Sequence, residues 1–219
     1  MLTADQSPID GCDKWPSESA QLRQRQLLTI IDSLQGQDLW DEDATFLAGD
    51  FNCSLNKKKF LEDQMKSNHA ALTENDTLSN APKMEAGNLN GKKIFSLNAK
   101  KFDLLDMHDW LFNTCNGQLV RKYDQEWSDL KNNGHGLVTE HQIYFPPNWP
   151  LDYDRKAGKD FYPRTQCPAW RSRILTNQKA WDMMHKNSFS GSSVYYGIIG
   201  KNMDIGEHKC LIKPNLRLS

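Results

Sequence analysis

The apolar run at positions 45–48, which stops abruptly at Gly49, constrains the fold more than any other part of the sequence. Such a run, bounded by a glycine and an acidic residue, is typical of a buried strand whose end opens at the surface. Upstream, apolar residues recur at helical spacing between Ser17, placed to cap a helix, and Gly36, just past its end. A helix followed by a buried strand favours the α/β class.

The rest of the chain alternates between helical and extended patterns. We expect helices over 56–70 and 98–112, a variable loop over 72–97, and a functional loop over 145–170, where the prolines crowd together. Short β-type runs follow at 173–175, 194–198 and 209–213. With 219 residues and no internal repeat, the sequence is interpreted as one domain over 1–219.

The composition disfavours several classes of protein. The net charge of −1 lacks the basic excess that is typical of nucleic-acid binding. No apolar run approaches the ~20 residues of a membrane helix, and the first residues do not resemble a signal peptide. Five dispersed cysteines without a CxxC pair favour reduced thiols, and none is placed for prenylation. We therefore predict a cytoplasmic protein without nucleic-acid binding, membrane span or lipid anchor.

Asp50 and Asn52 form the first candidate site, at the end of the predicted strand. Residues two apart in an extended segment point to the same face, so this carboxylate and this amide project together into whatever cleft lies there. Such a pair can hold a water or a metal-bound phosphate. Asp and Asn beside Gly also fit an ordinary turn, and these residues alone do not separate the two interpretations.

Two more candidates lie nearer the C-terminus. The loop between Trp149 and Cys167 has more basic than acidic residues, which suits anionic groups, although a solvated loop of mixed charge has the same composition. His208, beside Glu207, could serve as an acid, a base or a phosphate donor near neutral pH, or be a structural histidine.

Four short motifs follow one another along the chain: GDFN at 49–52, FPP at 145–147, CPAWRSRIL at 167–175 and GEHK at 206–209. Their order and spacing resemble the type I inositol polyphosphate 5-phosphatases of the endonuclease/exonuclease/phosphatase superfamily. In that family a strand ends in Gly-Asp-Phe-Asn, and a Phe-Pro-Pro segment leads through a basic loop to Cys-Pro-Ala-Trp-Cys-Asp-Arg-Ile-Leu. Gly-Asp-His-Lys-Pro then closes the domain.

The resemblance implies two β-sheets packed face to face with helices outside. It also implies Mg²⁺-dependent hydrolysis of the 5-phosphate of inositol 1,4,5-trisphosphate and inositol 1,3,4,5-tetrakisphosphate, which ends calcium-mobilising signalling. By position, Asp50 would align and activate the attacking water, Asn52 would hold the transferring phosphoryl oxygens, and His208 would contact the scissile phosphate. The candidate substrate-binding residues are Lys159, Arg164 and Arg173. No residue of this chain is assigned as a metal ligand.

Four positions depart from the family pattern. Ser172 stands where the family has the Asp that pairs with the catalytic His, Gln166 and Ser54 stand at arginine positions, and Glu207 replaces an Asp. A neutral hydroxyl cannot stabilise a cationic imidazole as a carboxylate does. The family's metal-binding Glu and its Asn-x-His strand lie upstream of the point to which Met1 corresponds, so we expect the domain to be incomplete at its N-terminus.

These observations leave two alternatives to a working 5-phosphatase. One is a catalytically dead, phosphate-binding or scaffold remnant of the family, and the other is a nuclease of the same superfamily, which the charge and the Pro-Ala-Trp segment disfavour. If the family roles apply, Asp50, Asn52 and His208 must converge on one phosphate-sized space. An incomplete domain would also expose an apolar patch of strand residues such as Phe46, Ala48, Ile174, Val194 and Tyr196.

Overall fold

The computed structural model describes residues 1–73, 83–133, 137–186, 194–199 and 211–212. Helices and antiparallel strands share this part of the chain, which confirms the predicted α/β class. The helices are α1 (Glu18–Gln35), α2 (Lys57–Ser67), α3 (His108–Asn113), α4 (Gln125–Asn133) and α5 (Gln178–Lys186). The strands are β1 (Phe46–Asp50), β2 (Ala70–Leu72), β3 (Lys83–Asn88), β4 (Lys93–Asn98), β5 (Lys101–Asp103), β6 (Asp152–Asp154), β7 (Lys159–Phe161), β8 (Ser172–Thr176), β9 (Ile198–Ile199) and β10 (Leu211–Ile212).

The strands pair in the orders β1-β8, β2-β3-β4-β5, β6-β7 and β9-β10. This arrangement of antiparallel sheets and helices is consistent with the sandwich that the resemblance implies. The larger cluster of buried side chains includes Phe95, Phe102, Phe112 and Trp170, and the smaller one joins the apolar face of α1 to Leu175 of β8. None of the helices in the described ranges combines the length and the apolar character needed to cross a membrane.

Helix α1 begins and ends where the sequence predicts. The Ser17 hydroxyl oxygen accepts a hydrogen bond from the Ala20 amide at 3.1 Å, and the Gly36 amide donates to the Asp32 carbonyl at 2.9 Å. These contacts satisfy polar groups that every helix leaves unpaired at its ends. The predicted helix over 56–70 is also present, as α2.

Strand β1 pairs with β8, which lies far along the chain. Phe46 is opposite Thr176 and Asp50 is opposite Ser172, and Thr176 also bridges to Thr139. The pairing sets the GDFN motif beside the second half of the CPAWRSRIL motif. It therefore brings together two of the motifs on which the resemblance to the 5-phosphatases depends.

The prediction of a variable loop over 72–97 is wrong. This stretch contains β3 and β4, joined by a turn in which the Gly91 amide donates to the Asn88 carbonyl at 3.0 Å. In β4, Phe95 and Leu97 are fully buried while their neighbours are not. This alternation of period two is visible in the sequence, but the many Asn, Lys and Gly residues around it favoured a loop.

The helix expected over 98–112 is wrong in its first half. Strand β5 pairs there with β4, a 3-10 turn follows at Leu105–Met107, and only α3 is helical. Phe102 of β5 lies opposite Leu97 and is buried in the larger core cluster. Pairing and burial in the sheet therefore outweigh the helical spacing of the apolar residues.

The proline-rich segment over 145–170 is less irregular than expected. Strands β6 and β7 form a hairpin within it, and the Asp154 carboxylate closes the turn by accepting hydrogen bonds from the amides of Lys156 and Ala157. Of the later β-type runs, 173–175 lies inside β8, β9 begins at the end of the run over 194–198, and β10 lies within the run over 209–213, whose other residues are outside the described ranges.

The exposed apolar patch expected for an incomplete domain is not found at the residues named for it. Ala48 is exposed, whereas the others are half-buried or buried: Phe46, Ile174, Val194 and Tyr196. Tyr196 lies against β8, because its hydroxyl oxygen accepts a hydrogen bond from the Ile174 amide at 3.2 Å.

Gly117, at the end of the 3-10 turn Thr114–Gly117, has a φ of +76°, in the left-handed region that favours glycine. A Cβ atom there would lie 2.6 Å from Cδ of Pro147 in the Phe-Pro-Pro motif. We expect Gly117→Ala to lower the free energy of unfolding by about 2–5 kcal/mol, because left-handed backbone strain and crowding both oppose it. Urea denaturation followed by tryptophan fluorescence measures this loss.

Gly91→Ala is the matched control. Gly91 has a φ of +74°, but a Cβ atom there would meet nothing within 4 Å. We expect this variant to lose about 1–2 kcal/mol, the backbone contribution alone. Equal losses in the two variants would contradict the proposed clash with Pro147.

Candidate functional site

The first candidate residues lie together at the end of β1. The Asn52 amide donates to the Asp50 carboxylate at 2.7 Å, and Asn52 has a φ of +53°. Asp50 therefore shapes a local turn of the kind that Asp residues form two positions before the amide they bind. The turn and the candidate site are the same structure, so the two interpretations of this motif do not exclude each other.

The Asn52 side chain is buried and both of its polar atoms are engaged. Its Nδ2 donates to the Leu2 carbonyl at 2.6 Å, and its Oδ1 accepts from Nη1 of Arg171 at 2.8 Å. The amide thus joins the N-terminal segment, the end of β1 and the residue that precedes β8. Nδ2 has a second N–H group, which can donate to a phosphate while the first holds the Leu2 carbonyl.

Ser172 is the residue directly opposite Asp50 in the β1-β8 pair. Directly opposite residues of antiparallel strands present their side chains on the same face, with Cβ atoms about 4.5–5.5 Å apart. The hydroxyl that replaces the family's histidine-pairing Asp is therefore placed beside the Asp50 carboxylate. This neighbour relation links the first candidate residue to the most consequential departure from the family pattern.

Asn148, which follows the Phe-Pro-Pro motif, holds the start of β8 in place. Its Oδ1 accepts from the amides of Arg171 and Ser172 at 2.9 and 3.3 Å, and its Nδ2 donates to the Ser172 carbonyl at 2.7 Å. Asn148 is 1% exposed, so these bonds have no competition from bulk water. Sequence reasoning missed this residue, for which an isolated Asn between Pro-Pro and Trp was the signal.

Arg171 is the second residue that sequence reasoning missed. Its guanidinium is buried, lies over the Trp149 ring at 3.2 Å from the centroid, and makes no ion pair with any residue that the structure describes. Burial lowers the pKa of Arg171, while the charges of Asp5 and Asp50 act in the opposite direction. The family pattern has a Cys at this position, so the resemblance did not point to it.

Arg173, predicted to bind substrate, lies in the core. Its Nε donates to the Trp170 carbonyl at 2.8 Å, Nη1 pairs with Glu140 at 2.9 Å, and Nη2 pairs with Asp124. Burial lowers the pKa of Arg173, but these two carboxylates more than compensate and hold it well above its usual range. Arg173 therefore supports β8 from inside the protein, and its predicted role in binding substrate stays a prediction.

Arg164 and Lys159 lie at other places in the fold. Arg164 is half-exposed, pairs with Asp103 at 3.0 Å and donates to the Leu105 carbonyl at 3.2 Å. Lys159 is exposed at the start of β7. Within the described ranges, no hydrogen bond connects either side chain to Asp50 or Asn52. Their predicted role in binding ring phosphates stays a prediction.

His208 and Glu207 lie outside the described residues. The predicted convergence of His208 with Asp50 and Asn52 therefore stays a prediction. Asp50 and Asn52 themselves are in direct contact through the backbone amide of Asn52.

A buried charge cluster supports the chain just after the GDFN motif. Arg23 binds both carboxylate oxygens of Glu126, at 2.5 and 2.8 Å, and pairs with Asp5 at 2.8 Å. Glu126 also accepts from the Ser54 amide at 2.9 Å. Burial raises the pKa of Asp5, but Lys57 and Arg23 outweigh it and leave the pKa below its usual value. The cluster fixes the N-terminal segment and α1 against the candidate site.

The chain is similar to inositol polyphosphate-5-phosphatase A of Homo sapiens, Rattus norvegicus and Mus musculus. It is 28% identical to each over 210 residues, which cover 95% of this chain and 49% of the relative. The chain thus spans about half the length of these relatives, in their C-terminal part. No family profile and no solved structure matches the chain significantly. The comparison confirms the resemblance that the motifs predict.

Proposed function

We propose that this chain carries the C-terminal part of an inositol polyphosphate 5-phosphatase catalytic domain and acts on the 5-phosphate of inositol 1,4,5-trisphosphate and inositol 1,3,4,5-tetrakisphosphate. The observation that supports this most is the pairing of β1 with β8, which places GDFN beside CPAWRSRIL in a chain similar to the named phosphatases. The proposed setting is the cytoplasm, where hydrolysis of the trisphosphate would end calcium-mobilising signalling.

In this proposal Asp50 aligns and activates the attacking water, Asn52 holds phosphoryl oxygens and His208 stabilises charge on the scissile phosphate. The backbone amide of Asn52 donates to one oxygen of the Asp50 carboxylate and so fixes the orientation of that carboxylate. Asn52 can donate its second Nδ2–H to a phosphoryl oxygen while the first stays on the Leu2 carbonyl. Both residues are therefore held in place before a substrate arrives.

Magnesium dependence is an implication of the resemblance. Among the residues that the structure describes, no three His, Cys, Asp or Glu side chains are grouped so that they could hold a metal ion. Proteins commonly bind Mg²⁺ through one or two carboxylates plus substrate phosphates. The described residues therefore supply no complete set of protein ligands, and the roles given to Asp50 and Asn52 are stated without the ion.

A catalytically dead, phosphate-binding remnant of the family is the second candidate function. Ser172 in place of the family's Asp favours it, because the histidine would lack a charged partner. The engagement of both polar atoms of Asn52 favours it as well. The two candidates differ in turnover and share the ability to bind a phosphate group.

Phosphate release from inositol 1,4,5-trisphosphate, with and without Mg²⁺, tests the proposal. We expect release in the wild type, and a loss of at least about 100-fold in Asp50→Asn, since the amide cannot activate water. Asp41→Asn, at an exposed position before β1, is the matched control and should leave the rate unchanged. Binding of the trisphosphate without release would favour the remnant, and the absence of both would contradict the proposal.

A further inference from the structure

Arg23, Arg171 and Arg173 are the buried arginines of the described chain, and two of them have every nitrogen engaged. Arg23 uses the edge formed by Nε and Nη2 to bind both oxygens of Glu126, and its Nη1 to bind Asp5. Arg173 directs its three nitrogens to the Trp170 carbonyl, Glu140 and Asp124. This is the usual state of a buried guanidinium, which is otherwise costly to remove from water.

Arg171 is different. Its Nη1 donates to Asn52, but its Nε is buried without a hydrogen-bond partner, and no described residue accepts from its Nη2. The unused edge is the one with which Arg23 holds Glu126. The same Nε–Nη2 edge thus binds both carboxylate oxygens of Glu126 in Arg23 and has no such partner in Arg171.

The stacking of Arg171 on Trp149 does not remove the need for a partner. The ring lies 3.2 Å from the guanidinium carbon and covers one face of the group. Such cation–π contacts attract the guanidinium to the face of the ring. The N–H bonds, however, lie in the guanidinium plane, so the ring orients this edge without satisfying it. An edge held in one orientation, with its Nε buried and unpaired, is preorganised for a planar pair of oxygens.

We propose that the Nε–Nη2 edge of Arg171 binds two oxygens of a phosphate group and makes Arg171 a phosphate-binding residue of the site formed by Asp50 and Asn52. The planar arginine fork matches two oxygens of a phosphate, and the phosphate would supply the negatively charged partner for this buried guanidinium. The Nη1 of this guanidinium donates to Oδ1 of Asn52, so the side-chain amide of Asn52 and the unused edge of Arg171 are held in a fixed arrangement.

The inference rests on the proposed function for the identity of the anion, because a carboxylate would also fit this edge. The Asp5 carboxylate, whose charge Arg171 experiences, is already bound by Arg23 and Lys57. The Asp50 carboxylate, the other nearby charge, accepts from the backbone amide of Asn52 and makes no hydrogen bond to the Arg171 guanidinium. The unused edge therefore needs an oxyanion from outside the described chain.

Calorimetric titration with inorganic phosphate, and in parallel with acetate, tests the inference. We expect phosphate binding to weaken at least about 10-fold in Arg171→Lys, which keeps the charge and loses the fork, and to weaken further in Arg171→Gln. Arg25→Gln, on the exposed face of α1, removes the same charge elsewhere and should bind phosphate as the wild type does. Acetate should bind more weakly than phosphate to the wild type.

Wild-type affinity for phosphate in Arg171→Lys, or equal affinity for acetate and phosphate, would overturn the inference. A second measurement covers variants that fail to fold: the Nε–H resonance of Arg171 in the wild type should shift on addition of phosphate, and an unchanged resonance at saturation would also overturn it. Phosphate binding through Arg171 without release from inositol trisphosphate would leave this inference standing while the proposed function fails. Release with an unchanged KM in Arg171→Lys would do the reverse.

Discussion

Arg173→Met should lower the free energy of unfolding by about 3–5 kcal/mol or abolish folding. Methionine fills most of the space but leaves Glu140 buried without a cation and Asp124 with Arg121 alone, since both carboxylates now pair with Arg173. Burial already raises the pKa of Glu140, and the loss of Arg173 should raise it further. Urea denaturation at pH 7, followed by tryptophan fluorescence, measures the effect.

The control is Arg25→Met, at an exposed position of α1, for which we expect a change within about 0.5 kcal/mol. The pH dependence distinguishes unpaired charge from lost packing. An unpaired buried carboxylate takes up a proton more readily in the folded state, so the loss in Arg173→Met should shrink as the pH falls from 7 to 5. A loss that is independent of pH would show that packing, and not charge, makes Arg173 important.

In a chain that also carries the N-terminal half of the family's catalytic domain, Ser172→Asp should raise the rate of phosphate release by a factor on the order of 10²–10⁴. The proposed reason is that a carboxylate orients His208 and stabilises its cationic form, as in other histidine–carboxylate pairs. The structure adds a cost, because position 172 lies directly opposite Asp50 and like charges opposite each other are destabilising. Phosphate release from inositol 1,4,5-trisphosphate over a range of pH measures both effects.

Ser172→Asn is the matched control, similar in size to Asp but neutral. We expect it to release phosphate no faster than the wild type. Two neighbouring carboxylates repel each other, so one of them keeps its proton to a higher pH. The gain in rate in Ser172→Asp should therefore be largest at a pH at which both carboxylates are ionised. Equal rates in the two variants would show that the serine is already compensated in the wild type.

The order of motifs was the strongest part of the sequence-based prediction. Helix α1 begins after Ser17 and ends before Gly36, as predicted, because a helix cap depends only on hydrogen bonds to residues of the same helix. The resemblance to the 5-phosphatases is confirmed by the named relatives. Both results rest on patterns contained within short stretches of the chain.

Errors arose where distant parts of the chain decide the structure. Phe102 lies in a strand because β4 pairs with it, and its own neighbours would equally fit a helix. Arg173 matches the family motif, and no residue near it in the sequence indicates that Asp124 and Glu140 enclose its guanidinium. Arg171 was missed because its partner, Asn52, is remote in the sequence. Asn148 was missed because its partner, Ser172, is remote and departs from the family pattern.

The pairing of β1 with β8 has a consequence for synthesis on the ribosome. Phe46 must wait for Thr176, the residue it faces, before the sheet can close. At about 5–20 residues per second, β1 is without its partner strand for roughly 6–25 s. Over that interval the emerging chain exposes an unpaired apolar strand, so its yield in cells should depend on chaperones that shield nascent β1 more than on the stability of the finished fold.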